Sequence, residues 1–304
     1  PIAWIQAMDS PAVSVVIPTY NRSALVERAI NSVLNQTFED FELIVVDDAS
    51  DDDTPETVRA IDDDRIVFIR HEENKYGKAW NTGINHASGT YIAFLDDDDE
   101  WHPEKLEEQF RLFSNADDDV GLVYCWREVY RNDELSSRSN PTLSGDIFEE
   151  TLITNPIGNT STYMIRADVL EEIGGFDESL PCGLDSDLLR RLSKNYRIDY
   201  VPEYLVKQHW IHDYDQISDE TDEKIYDSIE SNKATLRKFG AYLETDPRNK
   251  SLLYARISRL YIKTGDLTIA IYYVVKALYT DPYSKETRAE IKNVGRLLRD
   301  ALNI

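Results

Sequence analysis

The chain has 304 residues, and its 57 acidic and 33 basic side chains give a formal net charge of −24. A hydrophobic content of 41% is sufficient for a buried core and excludes an intrinsically disordered chain. Because so much negative charge repels phosphate backbones, the composition also excludes nucleic acid as an expected partner.

The first half of the chain alternates between apolar strands and amphipathic helices. The pattern predicts strands at 13–17, 42–46, 65–70 and 91–95, and helices at 23–35, 54–61 and 78–87. Repeated alternation of this kind is typical of a doubly wound, mostly parallel sheet flanked by helices. We therefore predict an α/β fold.

The second half has a mixed pattern. Strands are expected at 120–127, 160–165 and 197–201, and helices at 166–173 and 185–195. From residue 226 onward the pattern is helical throughout, with helices expected at 252–264, 267–279 and 285–302.

The charge is unevenly distributed along the chain. Residues 226–304 hold 14 basic and 9 acidic residues, whereas residues 1–225 hold 19 and 48. We interpret this break as a domain boundary, with an extension at 1–12, a globular domain at 13–225 and a helical region at 226–304. Short Asp runs in predicted loops are typical of salt-loving microbes, in which salt screens surface repulsion.

The two cysteines, Cys125 and Cys182, are too few for a disulfide framework or a zinc cage, and they favour a reducing cytosol. No apolar run reaches the roughly 20 residues that span a bilayer. Residues 1–11 lack the basic and apolar segments of a secretory signal. We therefore expect a cytoplasmic protein.

Three of the predicted strands are followed by polar residues, at 18–22, 47–48 and 96–99. In an open α/β sheet, ligands bind beyond the carboxyl ends of the strands. Four successive carboxylates at the end of a buried strand repel one another unless a cation neutralises them. Mg²⁺ or Mn²⁺, held by one or two carboxylates and by substrate phosphates, meets that need. The alternative is that these are ordinary polar strand ends in a chain rich in Asp.

Two common phosphate-binding motifs are missing from the sequence. It contains no G-x-G-x-x-G after the first strand, which counts against a dehydrogenase, and no G-x-x-x-x-G-K-[ST], which counts against a P-loop NTPase. A bound diphosphate would therefore need a metal ion in place of a glycine-rich loop.

Several motifs occur in order along the chain. They are VSVVIPTYNR at 13–22, ELIVVDDASDDDT at 42–54, NTGINHASG at 81–89, FLDDDDEW at 94–101, GGFD at 174–177 and DSDL at 185–188. Together they resemble the inverting family-2 glycosyltransferases of the GT-A fold, in particular halophilic archaeal members that build surface glycans or N-glycans. The resemblance covers about residues 13–215. It implies a GT-A-type sheet with a carboxyl-terminal helical extension.

The resemblance also implies roles for individual residues. The residues implied to bind the nucleotide sugar are Pro18, Thr19, Tyr20, Asp47, Asp48, Lys78, Asn81, Asp96 and Asp97. The implied metal ligands are Asp98, Asp96 and His209, and Asp185 matches the catalytic base. Arg70 and Asn74 are weaker candidates for contacts with the donor. His209 and His212 lie three residues apart, and the alternative for this pair is ordinary surface.

Two positions depart from the family pattern. Trp80 stands where the family usually has Arg, and Leu184 stands where an acidic residue usually precedes the base. Asp187 is therefore retained as an alternative base, although a carboxylate in the first turn of a helix is also favoured by the helix dipole.

The last predicted helix is amphipathic and basic. Its cationic stripe comprises Lys285, Arg288, Lys292, Arg296 and Arg299. Such a helix can lie on an anionic membrane surface. The alternatives are that the stripe faces the acidic part of the chain or is simply solvated.

Together these patterns predict an inverting glycosyltransferase that uses Mg²⁺ or Mn²⁺ and a nucleoside-diphosphate sugar, with UDP-sugars as the first choice. The acceptor is expected to be a hydroxyl group, and a lipid-linked saccharide is one candidate. Residues 130–158 are the expected acceptor loop. Two alternatives remain: a sugar-phosphate nucleotidylyltransferase, which would need a Gly- and Arg-rich loop after the first strand, and a catalytically silent docking module.

Overall fold

The computed structural model of the protein describes residues 10–75, 77–210 and 221–302. The chain divides into two units. The first comprises Pro1–Phe148, Asn155–Glu178 and Leu188–Asp213, and the second comprises Glu149–Thr154, Ser179–Asp187 and Tyr214–Ile304. Both units are therefore discontinuous in sequence, whereas the charge pattern predicts one cut near residue 225. That cut stays a prediction about folding domains.

Within the described residues, the first unit contains a nine-stranded sheet. The strands are β1 (Val13–Thr19), β2 (Phe41–Asp47), β3 (Ile66–Arg70), β4 (Tyr91–Phe94), β5 (Glu100–Trp101), β6 (Val120–Arg131), β7 (Glu134–Ser139), β8 (Tyr163–Arg166) and β9 (Arg197–Trp210). Their order in the sheet is β3-β2-β1-β4-β8-β6-β9-β5, and β7 pairs with β6.

Helices of the first unit flank this sheet, and further helices form part of the second unit. They are α1 (Ser23–Leu34), α2 (Thr54–Arg59), α3 (Lys78–His86), α4 (Lys105–Phe113), α5 (Phe148–Thr151), α6 (Ala167–Ile173), α7 (Leu184–Ser193), α8 (Asp222–Lys238), α9 (Gly240–Leu243), α10 (Pro247–Lys263), α11 (Leu267–Thr280) and α12 (Lys285–Leu302). The predicted α/β class, with helices flanking a central sheet, is confirmed.

The sheet has a parallel half and a mixed half. Strands β3, β2, β1 and β4 all pair in parallel, as the alternation of strands and helices predicts. Beyond them β8 pairs antiparallel with β4 and β6, while β6 and β9 run parallel. Strands β6 and β9 are longer than predicted because they pair with each other far beyond their apolar segments.

The core lies on both faces of the parallel half. Val15 and Ile17 of β1 pack with Val26 and Ile30 of α1 on one face. Ile44 of β2 packs with α3 on the other face. Because both faces are covered, these strands are continuous apolar runs, as expected for buried parallel strands.

The second unit is helical in its carboxyl-terminal part. Helix α10 contacts α8, α11 and α12. Within the described residues, no helix is both long and apolar enough to cross a membrane.

Candidate functional site

The candidate site begins where the parallel strands end. Thr19 at the end of β1 pairs with Asp47 at the end of β2, and Asp47 pairs with Arg70 at the end of β3. The amide of Asp48 donates to the carbonyl of Thr19 at 2.9 Å, and the amide of His71 donates to the carbonyl of Asp47 at 2.9 Å. The register of the sheet therefore places these polar residues side by side at one edge.

Asp47 is fully buried at this edge. Its Oδ1 accepts the amide of Ser50 at 3.0 Å. Its Oδ2 lies 3.2 Å from Nε of Arg70, yet it accepts no hydrogen bond from any residue that the structure describes. The buried carboxylate is therefore held at this edge by the amide of Ser50 and by its ion pair with Arg70. Tyr20, the next residue after Thr19, has a largely exposed side chain, and Pro18 is half-buried.

Asp48 serves the neighbouring loop. One carboxylate oxygen lies 2.7 Å from Nδ1 of His71, and the other accepts the amide of Lys75 at 3.0 Å. His71 also lies 2.9 Å from Oγ1 of Thr82 on α3, and the side chain of Asn74 donates to the Asp48 carbonyl at 3.2 Å. No local sequence pattern singles out His71. Only its position immediately after β3, at the same edge of the sheet, is a signal that could have found it.

The four carboxylates after β4 alternate in exposure. Asp97 and Asp99 are buried, whereas Asp96 and Asp98 remain partly accessible. This alternation separates two structural carboxylates from two that a ligand can reach.

Asp99 anchors the loop. Its Oδ2 accepts Ser161 Oγ at 2.6 Å and Asn159 Nδ2 at 2.9 Å, and its Oδ1 accepts the amide of His209 at 3.2 Å. The same two side chains donate to Asp96, at 3.1 Å from Ser161 and 3.2 Å from Asn159. The segment 159–161 was missed by the sequence analysis, because nothing local links it to residues about 60 positions earlier.

Arg22 neutralises part of the acidic cluster. Its Nη1 lies 2.8 Å from Asp97 and 3.0 Å from Asp98. Burial raises the pKa of Asp97 to about 6, against the opposing effect of Arg22, and Asp98 adds to the rise. Burial also raises the pKa of Asp99 well above its usual range, with Asp98 and Asp96 acting in the same direction.

His209 lies near the end of β9 with its ring buried. The ring stacks on Tyr130 with centroids 5.5 Å apart, and Nε2 lies 3.6 Å from Glu100. Burial lowers the pKa of His209, Arg28 lowers it further, and Glu100 opposes them. The neutral imidazole is thereby favoured, which is the form that binds a metal ion. His212 lies outside the described residues.

The remaining donor-site candidates lie on α3. Asn81 donates to the carbonyl of Phe176 at 2.8 Å and to Glu178 at 2.7 Å, and its Oδ1 accepts the amide of Phe176 at 2.8 Å. Asn81 therefore clamps the turn at 174–178. Lys78 is the first residue of α3, three positions before Asn81.

The two departures from the family pattern have packing explanations. Trp80 stacks on Phe176 at 5.5 Å and meets Phe94 edge-on at 5.5 Å, so it belongs to an aromatic cluster. Leu184 is buried at the start of α7. Asp185 follows it in the first turn, and Asp187 is buried with its Oδ1 2.5 Å from Nζ of Lys238.

Among the described residues, no group of three or more His, Cys, Asp or Glu side chains is arranged to hold a metal ion. A Mg²⁺ or Mn²⁺ ion that takes one or two protein ligands and completes its shell with phosphates and water needs no such group. The partly accessible carboxylates of Asp98 and Asp96 fit that kind of site.

Comparison of the sequence with known proteins gives a clear family match. Residues 14–174 match the sequence model of Glycosyl transferase family 2. An uncharacterised glycosyltransferase of Rickettsia prowazekii is 32% identical over 207 residues, which are 66% of this chain and 65% of the relative. The chain thus spans just under two thirds of that relative's length. A GalNAc(5)-diNAcBac-PP-undecaprenol beta-1,3-glucosyltransferase of Campylobacter jejuni is 48% identical over 94 residues, 30% of each chain.

Solved structures share the fold. Residues 1–349 of Staphylococcus aureus TarS, in complex with UDP-GlcNAc, give a TM-score of 0.63 at 17% identity, covering 95% of this chain and 91% of that one. The Pyrobaculum calidifontis mannosyltransferase PcManGT, in complex with GDP-Man and Mn²⁺, gives a TM-score of 0.59 at 19% identity, covering 97% and 87%. The GT-A-type fold class is therefore confirmed. With a family match over more than half of its length, the chain belongs to Glycosyl transferase family 2.

Proposed function

We propose that this protein is an inverting glycosyltransferase that moves a sugar from a nucleoside-diphosphate donor to a hydroxyl group of an acceptor. The alternation of exposure across 96–99 supports the proposal most directly, because it leaves Asp96 and Asp98 accessible beside Arg22 at the carboxyl edge of the sheet. In open α/β sheets this edge is where ligands bind.

In this proposal the nucleoside occupies the ends of β1 and β2. Asp47, ion-paired with Arg70, lies at the base of that space, and the exposed ring of Tyr20 offers a stacking surface. Pro18, Thr19 and Asp48 shape the loops around that space. Lys78, Asn81 and Asp97 complete the predicted set. Because Asp97 is ion-paired with Arg22 and Asn81 is hydrogen-bonded to Phe176, these two side chains are better placed to position neighbouring residues than to contact the donor.

Mg²⁺ or Mn²⁺ would be held by Asp98, with Asp96 and His209 as further candidate ligands. When bound, such an ion neutralises the charge that develops on the diphosphate leaving group. The side chains of Asn159 and Ser161, which donate to Asp96, would keep its carboxylate oriented towards the donor. The solved complex of PcManGT with GDP-Man and Mn²⁺ supports metal use by analogy.

Asp185 is proposed as the base that takes the proton of the acceptor hydroxyl. The alternative base, Asp187, is buried and bound to Lys238, which favours a structural role for it. With a single base and direct attack on the anomeric carbon, the configuration at that carbon inverts, by the same geometric reasoning that applies to glycoside hydrolysis.

UDP-sugars remain the first choice of donor, and the TarS complex with UDP-GlcNAc supports that choice. The Campylobacter jejuni relative acts on an undecaprenol-linked saccharide according to its name, which supports a lipid-linked acceptor. A role in glycoprotein or surface-glycan assembly, a cytoplasmic location and a halophilic source stay predictions.

The silent docking module is the less favoured alternative. Its main support in the sequence is the pair of departures at Trp80 and Leu184. Both residues are explained by packing, one in an aromatic cluster and the other in the core. Packing thus accounts for both residues, which weakens their support for a docking module.

The test is metal-dependent hydrolysis of a panel of nucleotide sugars by the full chain in high salt. We expect one donor to be turned over, and we expect Asp98→Ala and Asp185→Asn each to lower the rate by about 100-fold or more. Asp117→Ala is the matched control, since Asp117 carries the same charge on an exposed loop.

Three results would contradict parts of the proposal. Full activity in Asp98→Ala would exclude Asp98 as the metal ligand. Loss of activity in Asp187→Asn but not in Asp185→Asn would assign the role of catalytic base to Asp187. If calorimetry detects no binding of any donor and the same samples show no turnover, the docking module would be favoured.

A further inference from the structure

Helix α11 buries its two alanines and exposes several of its large apolar residues. Ala270 and Ala277 are fully buried, and their carbonyls accept the hydroxyls of Ser258 and Ser251 on α10 at 2.8 Å. The large exposed side chains on the opposite side are Ile271, Tyr272, Val275, Leu278 and Tyr279. We call these five residues the α11 apolar face.

The exposure of this face is large. Val275 is 58% exposed and Tyr279 is 91% exposed. Positions 271, 275, 278 and 279 follow the helical period, so the side chains form one continuous stripe. A surface helix normally has the reverse arrangement, with its apolar stripe against the core. Contiguous exposed apolar surface of this kind marks an interaction site.

The α11 apolar face carries no negative charge. From Leu267 to Thr280 the sequence contains no acidic residue, and its single cation is Lys276. The ammonium of Lys276 lies 4.9 Å from the ring centroid of Tyr272 and 5.2 Å from that of Tyr254. The face is thus apolar and aromatic with a cation at its side.

Helix α12 adds a row of cations. Lys285, Arg288, Lys292, Arg296 and Arg299 are all exposed, while Thr287 and Val294 on the other side are buried. We call the five cations the α12 basic stripe.

The turn between the two helices joins an exposed aromatic ring to the first part of the stripe. Arg288 donates to the carbonyl of Pro282 at 2.9 Å and lies 6.0 Å from the ring centroid of Tyr283, which is itself 82% exposed.

We propose that the α11 apolar face and the α12 basic stripe bind the surface of an anionic lipid bilayer. Exposed apolar and tyrosine side chains enter the boundary between headgroups and acyl chains, while Lys and Arg beside them are attracted to anionic headgroups. Neither helix has the length and apolarity needed to cross a bilayer, so the proposed contact of α11 and α12 is with its surface.

Charge favours a bilayer over a second copy of this chain. Residues 226–304 hold 14 basic and 9 acidic residues in a chain whose net charge is −24. Pairing two copies through this surface would bring two basic stripes together, which repel. An anionic bilayer instead meets the cationic part of the chain.

The test is flotation of the full chain with vesicles of phosphatidylcholine and phosphatidylglycerol, compared with phosphatidylcholine alone. We expect co-flotation with the anionic vesicles. The double variant Val275→Glu with Tyr279→Glu should lower binding by about tenfold or more, because it places charge on the inserted face. Lys292→Gln with Arg296→Gln should lower binding to anionic vesicles and weaken its salt dependence.

Val67→Glu is the matched control. Val67 is an exposed apolar residue of β3, so its replacement places an acidic side chain on the first unit and should leave flotation unchanged. Circular dichroism of every variant shows whether the fold is retained. Because the readout is binding, its failure is distinguishable from failure of the proposed catalytic function.

Three outcomes would overturn the proposal. The first is that the wild-type protein does not float with anionic vesicles, and the second is that the Val275→Glu and Tyr279→Glu variant floats as well as the wild type. The third is that sedimentation shows a wild-type dimer and a monomeric variant, while neither protein binds vesicles. The last outcome would assign the surface to contact between copies.

Discussion

At the scale of single residues, burial decides which charged side chains of the first unit stay available to a ligand. Both carboxylate oxygens of Asp99 accept hydrogen bonds, from Ser161, from Asn159 and from the amide of His209. Asp98 is partly exposed, and its carboxylate lies beside the guanidinium of Arg22. Two neighbouring aspartates with the same chemistry therefore have different roles, because one faces the core and the other faces the open edge.

Lys105 shows the energetic cost of burial most directly. Its side chain is fully buried, with Nζ 3.6 Å from the ring centroid of Trp101 and 3.4 Å from the carbonyl of Tyr163. Burial lowers the pKa of Lys105 to about 7 from its ordinary value of 10.5. Between those two values the unfolded chain binds a proton that the folded chain does not bind. The resulting loss of stability grows as the pH falls from 10.5 and is complete below about 7.

We therefore predict that Lys105→Met stabilises the protein, on the order of 2–4 kcal/mol at pH 6, since Met fills similar space without a charge. The gain should shrink as the pH rises towards 10, and thermal unfolding at several pH values measures it. Lys194→Met, at an exposed position, is the control and should show no such dependence. A gain that does not change with pH would contradict the assigned cause.

At the scale of elements, the clamp between α3 and the turn before α7 depends on a glycine. Gly175 has φ of +65°, in the left-handed region that favours glycine. A Cβ atom at this position would lie 2.6 Å from Oδ1 of Asn81, the oxygen that accepts the amide of Phe176. A side chain at position 175 would therefore strain the backbone and also displace the clamp.

A substitution at Gly145 measures the cost of backbone strain without the steric clash that occurs at Gly175. Gly145 also has a positive φ, of +83°, but a Cβ atom there would meet no atom within 4 Å. We predict that Gly145→Ala costs roughly 1 kcal/mol of stability from backbone strain alone. Gly175→Ala should cost about 1–3 kcal/mol more, because it also disturbs buried hydrogen bonds. Chemical denaturation of both variants measures the difference, and equal losses would show that the Asn81 clamp contributes little.

At the scale of the whole molecule, the net charge of −24 is the dominant property. Self-repulsion of this size destabilises a folded chain, and salt weakens it because the Debye length falls to about 3 Å near 1 M. We predict that the melting temperature rises steadily between about 0.1 M and 1 M KCl. Differential scanning calorimetry measures the rise, and replacement of KCl by sucrose at equal osmolality is the control. A melting temperature that is insensitive to KCl would remove the argument for a salt-adapted surface.

Local sequence patterns were sufficient for the parallel half of the fold and for placing several candidate residues at one edge of its sheet. The apolar runs of β1, β2 and β4 predict buried strands, and the polar residues that follow them predict the ligand-binding edge. The positions of Asp47, Asp96 and Asp98 at that edge followed from the same reasoning, because a parallel sheet aligns the carboxyl ends of its strands. These features depend on residues close together in the chain.

Only the tertiary structure decided how the site is held. The contacts of Ser161 with Asp96 and Asp99, of His71 with Asp48 and of Asn81 with the turn at Phe176 join residues that lie 23 to 95 positions apart. The long pairing of β6 with β9 is also of this kind. Hydrophobic periodicity reports only which face of one element is buried, and it carries no information on which distant segment covers that face. The sequence therefore determined the elements and the chemistry at their ends, while packing between distant segments decided which carboxylates remain open.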